Sequence, residues 1–204
     1  MKRQRVFVCA IVFAVVFTSS IFAEITITPA NVQIPELAGE DFSFDFAVSQ
    51  INSFSAQGFQ STIDISIAGP GTFTFDSTSS EAVAGETDYW LYGNSMVEAF
   101  ENPPGRYVFG DNPDNGIAQP LAVDDLMARY VFEWDGTPGD YTVNLDLDTT
   151  QSFVLGEWWT TEPLGFDPGI LPGDAGSFTV TMPVPEPATL LLLGLGVVAL
   201  RKRA

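Results

Sequence analysis

The sequence predicts an all-β domain, an antiparallel β-sandwich or jelly roll. Three observations carry the prediction. Apolar and polar residues alternate with period two in segment after segment, which puts one face of a strand in a core and the other in water. No stretch repeats apolar residues at three- and four-residue spacing over the length of a helix. The chain is rich in turn-forming residues, 18 Gly and 14 Pro in 204, and those of the body cluster between the alternating segments.

Taken in order, Glu24–Thr28 alternates and opens the domain, and Pro29–Gly39 is a turn-rich connection. Phe42, Phe44, Phe46 and Val48 alternate with Ser43, Asp45 and Ala47. Ile63, Ile65 and Ile67 repeat the pattern around Asp64 and Ser66; after the Gly69-Pro70-Gly71 turn, Phe73 and Phe75 begin another strand. Ser77–Gly85 is small and polar and reads as a loop. Tyr89–Tyr92 reads as a short strand. Asn102–Asn115, with Pro103-Pro104-Gly105 and Gly110–Gly116, reads as turns, and Leu121–Ala128 as a helical turn at most. Tyr130, Phe132 and Trp134 then alternate up to the turn Gly136–Asp140. Tyr141, Val143, Leu145 and Leu147 alternate beyond it, the clearest strand pair in the chain. Phe153–Leu155 and Phe178–Met182 are two more strands, with Glu162–Gly176 a loop between them. The expected total is eight or nine short strands, paired antiparallel because each has one wet face.

Both ends of the chain differ from this body. Lys2, Arg3 and Arg5 precede the apolar run Val6–Phe17, and Thr18–Ala23 supplies a cleavage region ending at Ala23. That is the pattern of a secretory signal peptide, expected over residues 1–23. The body is then Glu24–Pro183, a single domain of about 160 residues. The final segment, 184–204, has Pro185-Glu186-Pro187, the apolar run Ala188–Leu200 and the basic cluster Arg201-Lys202-Arg203. The prolines keep the backbone extended around Glu186. As a helix the 13-residue apolar run would rise roughly 20 Å, short for a hydrocarbon core of about 30 Å. The basic cluster would stay cytoplasmic, leaving the body on the far side of the membrane.

This tripartite tail resembles the PEP-CTERM sorting signal. The resemblance implies an exosortase as partner: a membrane-embedded cysteine protease that cuts near Pro185, Glu186 and Pro187 and releases or transfers the protein to the cell surface. It implies a route through the general secretion machinery, a transient membrane anchor through the C-terminal helix, and a cell-surface or extracellular destination. Two body segments, Ala38–Asp45 leading to Gln57–Gln60, and Gly139–Leu145, resemble the strand–turn–strand pieces of cohesin or carbohydrate-binding-module sandwiches.

Charge and residue inventory narrow the chemistry of the body. Only Arg106 and Arg129 stand against 25 carboxylates, a formal charge of −23. That excludes nucleic-acid binding and adsorption to anionic lipid. The one cysteine, Cys9, lies in the signal region, so the mature chain has neither disulfides nor a thiol nucleophile. With no His and no Lys in the body, a Ser-His-Asp triad, a His-based zinc site and Schiff-base chemistry are unavailable. Carboxylate-pair glycoside hydrolysis is the one catalytic class left, and no pair stands out among 25 acids. The expectation is a non-enzyme without a cofactor.

Two binding features deserve residue numbers. Asp111, Asn112, Asp114 and Asn115 crowd one loop and offer oxygens to Ca²⁺. Pro113 and Ala122 break the EF-hand pattern, so an Asx-rich turn capping its own backbone is the competing reading. Trp158 and Trp159 offer ring faces to a glycan, but neighbouring residues on a strand point to opposite faces, which favours one core Trp and one at an edge. The body is therefore expected to be a structural or adhesive matrix component. The alternative is a carbohydrate-binding module for exopolysaccharide, with calcium assisting.

Overall fold

The computed structural model describes residues 25–36, 40–51, 54–156, 161–166 and 176–184. Among these residues, twelve strands and one short helical segment fold into two packed sheets, the sandwich that the alternation predicts. The first sheet runs β4 (Phe73–Phe75), β8 (Leu126–Trp134), β2 (Asp41–Gln50), β1 (Ile25–Gln33). The second is built on the long strand β3 (Ser55–Ala68). One edge of β3 pairs with β6 (Arg106–Asp111) and β7 (Gln119–Pro120), and β6 carries β5 (Glu98–Glu101). The other edge pairs with β9 (Gly139–Leu147) and β10 (Phe153–Gly156), and β9 carries β12 (Ser177–Met182).

The core between the sheets is aromatic. Phe42, Phe44 and Phe46 on β2 and Tyr130, Phe132 and Trp134 on β8 are all fully or almost fully buried. Phe44 stacks on Tyr130 at 5.7 Å and meets Phe178 of the opposite sheet edge-on at 5.7 Å. Edge-to-face contacts of this kind place the positive ring edge against a negative face. Ser61 and Tyr130 satisfy their hydroxyls on each other inside the core at 2.7 Å. β12 adds Phe178, Val180 and Met182, all buried. At about 1.5–3 kcal/mol for each buried apolar side chain, they hold this strand firmly to β9.

Several local expectations are corrected. Ser77–Gly85 is helical: α1 (Ser77–Glu81) runs into a 3-10 turn at Ala82–Gly85. Asp76 caps α1, accepting from the Ser79 N–H at 3.0 Å. Helical propensity did not make this element. Ser80 Oγ accepts from the Val131 N–H on β8 at 3.0 Å, so α1 satisfies β8 where the short strand β4 stops. Tyr89–Tyr92 is a set of turns with one bridge from Tyr89 to Leu126. Asn102–Asn115 contains β6, Leu121–Ala128 contains the start of β8, and β11 (Thr161–Phe166) occupies part of the expected Glu162–Gly176 loop. Pairing is not uniformly antiparallel, since β11 runs antiparallel to β10 but parallel to β1, joining the two sheets. The segments either side of Gly136–Asp140 do not form a hairpin. β8 lies in the first sheet and β9 in the second. Trp134 Nε1 and Tyr141 Oη both donate to the Thr137 carbonyl, at 3.0 and 2.6 Å, and hold the chain as it crosses between them.

Candidate functional site

The outer face of the second sheet carries the candidate site. On β3, Phe59, Ser61 and Ile63 point into the core, so Gln60 and Thr62 lie on the opposite face, Thr62 covered there by the turn at Gln151, and the pairing fixes what stands beside them. Phe100 on β5 is opposite Val108 on β6, and Val108 is opposite Thr62. One step along, Glu98, Gly110, Gln60 and Phe153 form a row across four strands. Leu155 is opposite Gly58 in the next.

The result is a groove of about 420 Å³. Its walls are Phe100, Val108 and Met96 on one side and Phe153 and Leu155 on the other, and its floor contains Gly58 and Gly110. Met96 is 61% and Phe100 44% exposed. Asn112 Oδ1 covers Gly58, standing 2.5 Å from where its Cβ would be, so a ligand can approach the main chain closely only at Gly110. A Cβ at Gly110 would meet nothing nearer than the Phe59 carbonyl at 3.6 Å, so the floor is open there.

Among the described residues a single carboxylate borders this strip, and others lie farther along the face. Glu98 lines it, and Asp64 lies directly opposite Asp146 farther along the same face. Both basic side chains of the body are engaged within the molecule. Arg106 pairs with Asp64 at 3.4 Å and with Asp148. Arg129 holds Asp45 at 2.6 and 3.0 Å and Glu86 at 2.6 Å.

The calcium candidates are not brought together as ligands. Asp111 is fully buried at the end of β6. Its Oδ2 accepts from Tyr89 Oη at 2.6 Å and Ser95 Oγ at 2.5 Å, and its Oδ1 accepts from the Met96 N–H at 2.8 Å. Burial pushes its carboxyl above 3.8 despite these donors, and pushes the Tyr89 hydroxyl well up too. Asp111 thus fastens the 89–96 segment, and with it Met96 of the groove wall, to the sheet. Asp114 is exposed in the following turn. Asp148 caps its own turn, accepting from the Thr150 N–H and hydroxyl at 3.0 and 2.6 Å, which lowers its pKa. Among the described residues no group of three or more His, Cys, Asp or Glu is placed to hold a metal ion. Trp158, Trp159, Ala23, Pro185, Glu186, Pro187, Arg201, Lys202 and Arg203 lie outside the described residues, as does the expected C-terminal helix. Among the described residues no helix is long and apolar enough to cross a membrane.

The groove was not anticipated from sequence. Its residues on β5 lie just before Pro103-Pro104-Gly105 and those on β6 between it and the Gly110–Gly116 run, whose turn chemistry hides the strands they flank.

Fold and surface define a β-sandwich module with an open, apolar-centred outer face. Residues 183–204 match the PEP-CTERM protein-sorting motif, the signal of exosortase substrates. Among solved structures, the chain resembles a cohesin module from a Clostridium perfringens family 33 glycoside hydrolase at 10% identity and a TM-score of 0.44, covering 79% of this chain and 95% of that one. A type I cohesin from Pseudobacteroides cellulosolvens gives 11% and 0.45, covering 80% and 95%. A non-cellulosomal cohesin from the archaeon Archaeoglobus fulgidus gives 10% and 0.42, covering 83% and 98%. No curated protein matches the chain.

Proposed function

We propose that this chain is an exported surface protein, cut and placed by an exosortase, whose sandwich is an adhesive module for a protein partner. The sorting part is supported by the motif at 183–204. The adhesive part rests on one observation: a groove whose apolar walls stand beside Gln60, Asn112 and Glu98, with Gly110 open on its floor, on a body that carries −23 and has both its arginines internally paired. Apolar walls on a strongly acidic body favour a partner segment with apolar anchors and flanking Lys or Arg, since charge complementarity steers encounter while the buried anchors supply affinity.

The test uses the mature secreted protein and two peptides, one alternating Lys and Leu, the other Glu and Leu. The Lys-Leu peptide is expected to bind, and Gly110→Leu to weaken that binding at least tenfold. This variant keeps the charge and enters open space, so its Tm should stay within a few degrees of wild type. Equal binding by wild type and variant would mean diffuse attraction to the acidic surface and would overturn the groove. Retention of the variant on exopolysaccharide alone would favour the carbohydrate-binding alternative.

A further inference from the structure

The last strand ends three residues before Pro185-Glu186-Pro187 begins. Met182 is 1% exposed and opposite Gly139 on β9, and Pro185 follows after only Pro183 and Val184. From Met182 to Glu186 is four residues, at most about 14 Å of extended chain. The sandwich it leads from has a radius of gyration of roughly 15 Å for its size. Two turns close this end of the sandwich. A Cβ on Gly139 would sit 2.9 Å from Pro70 Cγ, and the Asp135 N–H donates to the Thr72 carbonyl at 3.2 Å.

We propose that the folded sandwich brakes its own processing: β12 holds the motif so close to the end formed by Gly69–Thr72 and Asp135–Gly139 that a membrane-embedded protease reaches it only with that end pressed against its outer rim. This rests on the exosortase reading above. β12 does not peel away to lengthen the leash, because Phe178, Val180 and Met182 are all buried. The end also carries exposed carboxylates, Asp41, Glu133, Asp135 and Asp140.

The experiment follows cleavage of the full-length chain in its native host by pulse-chase. About ten Gly and Ser residues inserted between Val184 and Pro185 should speed cleavage at least threefold with the Tm of the body unchanged. An unchanged or slower rate overturns the brake. A second variant tests peeling. Thr142 and Thr179 are directly opposite across β9 and β12, and the mature chain has no other cysteine, so Thr142→Cys with Thr179→Cys offers one unambiguous cross-link. The cross-linked chain should be cut at the parental rate. If it is not cut, β12 supplies the substrate length and the inference fails. Glu186→Ala separates the two readings, since it should block cleavage with or without the insertion. A block by Glu186→Ala beside an insertion without effect removes the brake alone, whereas normal cleavage of Glu186→Ala removes the sorting reading beneath it.

Discussion

Arg129 on β8 sits directly opposite Asp45 on β2 and grips both of its carboxylate oxygens, at 2.6 and 3.0 Å. Asp45 is 1% exposed, Asn31 Nδ2 adds a third donor at 3.0 Å, and Glu86 takes the remaining side of the guanidinium. The strand register places two charges on a covered face and then completes their hydrogen bonding. Removing Asp45 leaves the largely covered Arg129 with only the exposed Glu86 as counter-charge.

Asp45→Ala should therefore destabilise the body by about 3–5 kcal/mol in urea unfolding. Asp64→Ala removes a carboxylate that is half exposed and 3.4 Å from Arg106, and should cost only about 0–1 kcal/mol. Equal losses from the two variants would refute the distinction between the covered and the solvated pair.

The pH dependence of stability should have two opposed contributions. Asp135 accepts from the Thr137 and Thr72 N–H groups, which hold its pKa down to about 2 from an ordinary 3.8. A depressed pKa stabilises the fold above 3.8, and that stability is lost as pH falls through about 2. Asp111 has the opposite sign. Burial raises its pKa above 3.8, so the folded state binds its proton more tightly and stability falls as pH rises from 3.8 through the raised value. Urea midpoints measured from pH 2 to 7 should show a shallower acid limb in Asp135→Asn. The decline above pH 3.8 should be weaker in Asp111→Asn. A limb unchanged in either variant would rule out that residue as its source.

Ser80→Ala should destabilise by about 1–3 kcal/mol although the side chain is small. Its hydroxyl is fully buried, donates to the Asp76 carbonyl at 2.7 Å and accepts from the Val131 N–H, so the variant leaves a strand N–H without its acceptor. Hydrogen exchange at Val131 should quicken more than at Phe132, which pairs with Phe75 on β4. Uniform protection of both would show that α1 is not what guards this part of β8.

What the sequence determined by itself was local pattern. Phe42, Phe44 and Phe46, or Tyr141, Val143 and Leu145, name the buried face of a strand because side chains alternate across it, and that suffices for a sandwich. The expected signal-peptide pattern and the motif at 183–204 are linear features and need no fold to be read. The tertiary structure decided neighbours. Alternation is identical whether β9 returns beside β8 or crosses to β3, and only packing against the opposite sheet selects the crossing at Thr137. The same holds at the sites. Asp111 reads as one more acid in a turn until Tyr89 and Ser95, distant in the chain, are folded onto it. Gly58 and Gly110 become the floor of a groove only when the register sets Phe100, Val108, Phe153 and Leu155 around them. Contacts between residues far apart in sequence leave no periodic trace in the chain, and those are the contacts that make this protein's surface.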